Sequence, residues 1–239
     1  EHNLTVIEDA AHAVGAEYKG KKIGTVSDYT CFSFYATKNL TTAEGGMITT
    51  DLDLSDKLKS LSLHGMDRDA WNRYAETGSW FYDVKYLGFK YNMTDLQAAL
   101  GLCQLEKFEE MQERRIEIAD RYNRSFKNTD EIITPRVKKD VKHAWHLYPI
   151  LINEELMDIG RDEFIPALKE ENIGSSVHFI PVHMMSYYRN KYGYRPEDFP
   201  MAKKMYEREI SIPLYPKMND EDVEDVVEGV KKLVEYYGR

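Results

Sequence analysis

Residues 30–46, TCFSFYATKNLTTAEGG, constrain this chain more than any other stretch. An apolar, aromatic run ends in a lysine, and a polar turn with paired glycines follows. Lys38 is the only basic residue between Lys22 and Lys57, so its sequence neighbours are apolar and hydroxyl-bearing. Setting an ammonium against such a run strips its hydration and favours the neutral amine. A neutral amine is a nucleophile that adds to carbonyls. On this stretch alone two readings are open: a strand-end lysine that snorkels to water, or a lysine that does covalent chemistry.

The surrounding elements indicate the fold class. Residues 4–8 (LTVIE) form a β-prone run with Asp9 at its end, residues 30–34 a second and residues 47–50 (MITT) a third. Residues 18–24 have the composition of a tight turn, with Gly20 free to take a positive φ. A helix is expected over 54–64. Short apolar strands alternating with connectors predict an α/β class with a mostly parallel sheet.

Residues 65–90 lack periodicity but hold Trp71, Trp80 and several tyrosines, and aromatic loops of that length usually serve function. Thr94 to Gln97 is a T-x-x-Q capping box that opens a helix. The helix runs through AALGLCQL into a second amphipathic segment, where Phe108, Met111, Ile116, Ala119, Tyr122 and Phe126 keep mostly to steps of three or four. Residues 128–140 read as a linker. Beyond it, strands are expected over 143–152, 175–179 and 210–213, with helices over 161–171 and 200–209. A last helix, capped by Asn219 or Asp220, carries an apolar stripe from Val223 to Tyr237. The expected organisation is a first domain over 1–128, ending in a long inter-domain helix, and a smaller α+β domain over 129–239.

Composition narrows the function classes. The chain has 239 residues, 42% of them hydrophobic, enough for one large core or two modest ones. A formal net charge of -9, with no run of lysine or arginine longer than two, argues against nucleic acid or an acidic membrane as partner. No stretch approaches the length of a membrane span, and no signal peptide is visible. Cys31 and Cys103 sit in apolar contexts and read as reduced core residues of a cytoplasmic protein. His143, His146 and His183 lack the third ligand of a zinc site, so no metal is expected. The opening EHNLTVIEDAAHA has no initiating methionine and enters a strand at once. That suggests the later part of a longer protein.

Asp9 and Lys38 are the first pair to weigh for chemistry. Each ends a predicted strand, and ligands of open α/β sheets bind beyond the carboxyl ends of strands. A carboxylate and a neutral lysine there suit pyridoxal 5'-phosphate: the lysine holds the aldehyde, and the aspartate keeps the pyridine nitrogen protonated. A simple ion pair, or two unrelated strand-end residues, is the alternative. The Ser33 hydroxyl can hold a phosphate oxygen, or serve only its own strand.

These residues fall within a larger pattern. IEDAAHA (7–13), FSF-x-x-x-K (32–38), AEGG (43–46) and YNMTD (91–95) with its following QAALG resemble the DegT/DnrJ/EryC1/StrS family of sugar aminotransferases, in the family's order and spacing. HAWHL (143–147) and GSSVHFIPVH (174–183) are similar to the family's second domain. The YN form at Asn92, preceded by Lys90, is more similar to the branch that forms 4-amino-4-deoxy-L-arabinose on a UDP carrier. The resemblance implies a fold-type I enzyme, with residues 1–128 the remainder of its cofactor-binding large domain. It implies pyridoxal 5'-phosphate as cofactor and transfer of an amino group, with glutamate the family's donor, to a 4-keto sugar nucleotide in surface-glycan or deoxyaminosugar synthesis.

By that resemblance Lys38 is the Schiff-base lysine and proton shuttle, and Asp9 pairs with the pyridinium nitrogen. His12 lies near the ring hydroxyl, and Ser33 binds the cofactor phosphate. Asn92 reaches the phosphate of a neighbouring subunit's cofactor, which implies a homodimer with shared active sites. His178, Trp71 and Trp80 face the sugar nucleotide; for His178 a core role is the open alternative. Relatives that dehydrate sugars carry histidine in place of this lysine, so Lys38 favours amino transfer. A C3 or cyclitol aminotransferase and a non-catalytic dimerisation or regulatory module remain as alternatives. The family's large domain starts much earlier, with a helix N-terminus for the phosphate and an aromatic that stacks on the ring. The 239 residues alone are therefore expected to be inactive.

Overall fold

The structure, a computed structural model, describes residues 2, 4–67 and 81–239. In chain order the strands of the first part are β1 (Ile7–Asp9), β2 (Glu17–Tyr18), β3 (Lys21–Lys22), β4 (Tyr29–Ser33) and β5 (Gly46–Thr49). Helices α1 (Ser55–Ser62), α2 (Asp95–Glu106) and α3 (Phe108–Ser125) follow. Then come β6 (Ile132–Ile133), β7 (Val141–Lys142), β8 (Tyr148–Ile152), α4 (Arg161–Glu170), α5 (Ser186–Tyr192), α6 (Pro200–Arg208), β9 (Glu209–Ile212) and α7 (Asp220–Tyr237). The chain forms two compact units: Glu1–Glu109 with Asp140–Ala144, and Glu110–Lys139 with Trp145–Arg239.

In the first unit β1 runs parallel to β4, with Asp9 opposite Cys31, and β5 pairs antiparallel to the other edge of β4. The tight turn expected at 18–24 is a hairpin. Lys19 and Gly20 take successive positive φ values of 51° and 73°, the geometry of a primed turn whose twist suits the flanking strands. Lys19 donates its N–H to the Asp140 carbonyl at 2.7 Å, and β2 pairs with β7. That ladder is why residues 140–144 group with the first unit despite their place in sequence.

The capping box forms as expected. Thr94 donates its N–H to Gln97 Oε1 at 2.9 Å, and Gln97 returns its own N–H to Thr94 Oγ1 at 3.3 Å. Helix α2 ends at Glu106, and α3 resumes after the single residue Lys107. None of the residues of α2 is buried; Leu96 is 86% and Leu102 65% exposed. Cys103, expected in a core, is exposed on this helix, and Cys31 is only partly buried. The AALGLCQL run is apolar on every side, so sequence alone marks no outer face. Among the described residues no helix is long and apolar enough to cross a membrane.

In the second unit β6, β8 and β9 form an antiparallel sheet in that order. Tyr148, Ile150 and Ile152 of β8 are fully buried, as period-two alternation requires of one face. Tyr148 and Ile150 meet Ile212 and Ile210 of β9 across the ladder, and all three β8 residues pack in one core with Phe164 and Leu168 of α4 and the valines of α7. Asn219 caps α7, accepting the Asp222 N–H at 2.8 Å. Ile118, Ala119 and Tyr122 of α3 also enter this core, so the grouping by contact changes at Glu109/Glu110, whereas the sequence pattern places the domain change after 128.

Three further expectations need correction. The segment taken as a linker holds β6, whose Ile132 pairs with Ile152 and is buried. The strand expected over 143–152 is interrupted: β7 stops at Lys142, Trp145 takes a φ of 45°, and β8 starts at Tyr148. Residues 175–179 make no extended ladder, only a single bridge between Ser176 and Ser211.

The shared core of the second unit makes a direct prediction. Phe164→Ala removes a fully buried ring and should cost about 3–5 kcal/mol of unfolding free energy in a chemical denaturation experiment. A loss below about 1 kcal/mol would show that the site collapses around the missing ring.

Candidate active site

Parallel pairing of β1 with β4 places Asp9 and Ser33 at the same carboxyl edge of the sheet. Asp9 ends β1 and accepts the Ala11 N–H on Oδ1 at 3.0 Å, which turns the chain into the exposed His12. Ser33 ends β4, and its Oγ accepts the Tyr35 N–H at 3.4 Å. The chain then turns at Lys38, whose N–H reaches the Tyr35 carbonyl at 2.9 Å. Lys38 is half-buried. Burial pulls its pKa below the ordinary lysine value, while the charge of Asp9 acts in the opposite direction and to a smaller extent. The two side chains therefore sense each other electrostatically, and the net effect is a lysine pKa below its ordinary value.

The loop that carries Lys38 is held from both flanks. Asn39, next to it and buried, donates Nδ2 to the Ala144 carbonyl at 2.7 Å. Thr42, also buried, donates its N–H to the Phe34 carbonyl at 2.9 Å and its hydroxyl to the Glu44 carbonyl at 2.8 Å. The paired glycines are required by space. A Cβ on Gly45 would lie 2.3 Å from Thr42 Oγ1, and one on Gly46 would lie 2.7 Å from the Phe32 carbonyl oxygen. Gln97, already engaged in the capping box, donates Nε2 to the Glu44 carbonyl at 2.9 Å. The motif at 43–46 and the motif at 91–97 are thus one hydrogen-bonded assembly. Nothing in the sequence singles out Asn39 or Thr42. Their signal is burial, which a polar one-letter code does not carry.

Asn92 lies at the other end of that assembly. Its Oδ1 accepts from Lys90 Nζ, and its Nδ2 donates to the Met93 carbonyl at 3.4 Å. It borders a cleft of about 600 Å³ whose described walls include Lys57, Lys59, Lys85, Asp67 and Tyr86 but not Lys38. His178 belongs to the second unit. It borders a groove of about 380 Å³ with Arg136, Phe179, Tyr206 and Glu209. Its N–H donates to Glu209 Oε2 at 2.8 Å, and its ring meets that of Phe179 edge-on at 4.6 Å. Trp71 and Trp80 lie outside the described residues.

The opposed effects on Lys38 set the sign of a pH experiment. Asp9→Asn removes the charge that raises the lysine pKa and leaves the burial that lowers it. The pH at which Lys38 reacts with an amine-acylating reagent, followed by peptide mass spectrometry, should move to lower values in Asp9→Asn. A move to higher pH would contradict the coupling.

Comparison with known proteins places this geometry in context. Residues 1–231 match the DegT/DnrJ/EryC1/StrS aminotransferase family. The chain is 60% identical over 235 residues to MJ1066 of Methanocaldococcus jannaschii, and the match covers 98% of the chain and 61% of that protein. It is 55% identical over 235 residues to SpsC of Bacillus subtilis, a spore coat polysaccharide biosynthesis protein, covering 98% of the chain and 60% of the relative. The chain thus spans about three-fifths of the length of these relatives. Among solved structures, Spr1654 from Streptococcus pneumoniae in its PMP-form superposes with a TM-score of 0.87 at 35% identity, covering 98% of this chain and 59% of that one. The PLP-form of the same protein superposes at 0.84. The α/β architecture is that of the fold-type I aminotransferases, and the chain belongs to the DegT/DnrJ/EryC1/StrS aminotransferase family.

Proposed function

We propose that this protein is a pyridoxal 5'-phosphate-dependent aminotransferase that moves an amino group from an amino acid, glutamate on the family's example, to the keto carbon of a 4-keto sugar nucleotide. The observation that carries this reading is the electrostatic coupling of Asp9 to a lysine of lowered pKa at the carboxyl edge of two parallel strands. Relatives support it: SpsC is described by polysaccharide biosynthesis, and Spr1654 has been solved in PLP- and PMP-forms. When bound, the cofactor supplies an aldehyde for the lysine amine and a ring that accepts an electron pair.

In this reading the chain's own residues divide the labour. The Lys38 amine, whose pKa burial lowers, would hold the cofactor and would carry the proton that the substrate carbon gains or loses. The Asp9 carboxylate holds a proton on the ring nitrogen. Its acceptance of the Ala11 N–H fixes one oxygen and leaves the other for that proton. His12, in the turn after Asp9, stands near the ring hydroxyl, and the Ser33 hydroxyl donates to a phosphate oxygen. Asn92 serves the phosphate of a partner subunit's cofactor. The cleft beside it carries Lys57, Lys59 and Lys85 together with Asp56 and Asp67, and Lys85 pairs with Asp67 at 3.4 Å. The assignment of Asn92 requires a homodimer, in which α2, beginning three residues after Asn92, would lie near the shared site. His178, Trp71 and Trp80 are assigned to the sugar nucleotide.

Lys38→Ala in the full-length protein tests the reading. Amino transfer to UDP- and dTDP-linked 4-keto sugars should fall at least about a hundredfold, the lower end of what a positioned proton carrier supplies. The visible absorbance of bound cofactor should disappear with it. Retention of both the transfer and the absorbance would sink the proposal.

A further inference from the structure

Glu209 opens β9 and is 7% exposed, although its neighbours in the strand are isoleucines and a serine. Burying a carboxylate is unfavourable unless both oxygens find donors. Here each oxygen has one. Ser211 donates its hydroxyl to Oε1 at 2.6 Å, and His178 donates its backbone N–H to Oε2 at 2.8 Å. Period-two alternation explains the direction of the side chain. Ile210 and Ile212 face the core with Ile150 and Tyr148, so Glu209 and Ser211 share the opposite face with Leu151 and Pro149. Glu209, Leu151 and Pro149 border the groove that His178 borders.

The hydrogen bond to His178 stands where a main-chain bond is missing. Ser176 and Ser211 exchange both N–H groups with each other's carbonyls, at 3.2 and 2.8 Å, and the bridge extends no further. In an antiparallel ladder the next such pair would be residues 178 and 209. The Glu209 backbone N–H is instead given to the Met205 carbonyl at the end of α6, and its side chain reaches His178. The His178 imidazole has no comparable hold: Nδ1 is buried and has no partner among the described residues. Its ring rests on the edge of Phe179. The Glu209 carboxylate is thus the polar anchor that sets where this histidine stands.

We propose that Glu209 is a positioning residue for the sugar-nucleotide half of the reaction, holding the His178 backbone so that its ring meets the substrate. This rests on the reading of His178 as a substrate contact. Replacement distinguishes the role by chemistry. Glu209→Ala removes both acceptors. Glu209→Gln keeps an oxygen for the His178 N–H and turns its amide toward the Ser211 hydroxyl, which can accept as well as donate.

The test uses the full-length protein with two independent readouts. In Glu209→Ala, hydrogen exchange of the peptide spanning residues 174–180 should accelerate by about tenfold or more, as loss of one hydrogen bond to a charged group entails. The rate of the sugar-nucleotide half-reaction should fall while the amino-donor half-reaction, followed by cofactor absorbance, stays at the unaltered value. Glu209→Gln should return both readouts close to those of the unaltered protein. Unchanged exchange in Glu209→Ala overturns the proposal whatever the activity, and so does an equal fall in both half-reactions. If the unaltered protein transfers no amino group, the aminotransferase reading fails by itself, and the exchange readout still decides whether Glu209 holds His178.

Discussion

The parallel ladder between β1 and β4 is the constraint on which the candidate site depends. Parallel strands end at the same edge, so a register that sets Asp9 opposite Cys31 brings Asp9, Ser33 and the turn carrying Lys38 to one place. A slip of one residue would turn Asp9 to the other face of the sheet and end its coupling to the lysine. The antiparallel strand β5 then closes the opposite edge of β4, and its first residue, Gly46, lets the Phe32 carbonyl approach where any side chain would collide. The chemistry proposed for Lys38 is therefore inherited from strand order rather than from the loop alone.

A second feature of the first unit is economical use of polar groups. Gln97 helps to cap a helix and also fastens the turn after Lys38. Thr42 answers the same turn from inside, and Asn39 fixes the residue beside the lysine. These bonds matter because a lysine lowered in pKa by partial burial must not escape to water. An extended lysine side chain regains hydration readily, and the flanking buried residues restrict the backbone from which it would do so.

Much of this was legible in one dimension. Asp9, Lys38, the glycine pair and the capping box announce themselves because each needs a specific residue type at a fixed offset. The stripe of α7 was legible for the same reason, as its valines recur at helical spacing. What escaped was set by partners distant in sequence. Strand β6 is two residues long and looks like linker, and only pairing with β8 makes it a strand. Gln112 and Arg115 lie on α3 between apolar positions but are buried. Arg115 donates to the Trp145 and Leu214 carbonyls, and burial draws its pKa down to about 10. Carbonyls carry no letter in a sequence, so an arginine that binds them reads as an exposed charge.

Glu209 shows why that limit falls where function is fine-tuned. In the one-letter code EISI is a short apolar strand with a charged residue before it, and the expected strand began at Ile210. The structure extends the strand by one residue and buries the carboxylate. A charged side chain on the face away from the core remains buried only if something else covers and satisfies it, and here a segment more than thirty positions away in sequence does both. Core positions follow from apolar periodicity because water is the common alternative for all of them. Polar positions that orient a second side chain follow from one particular partner, and that partner is known only once the chain has closed on itself.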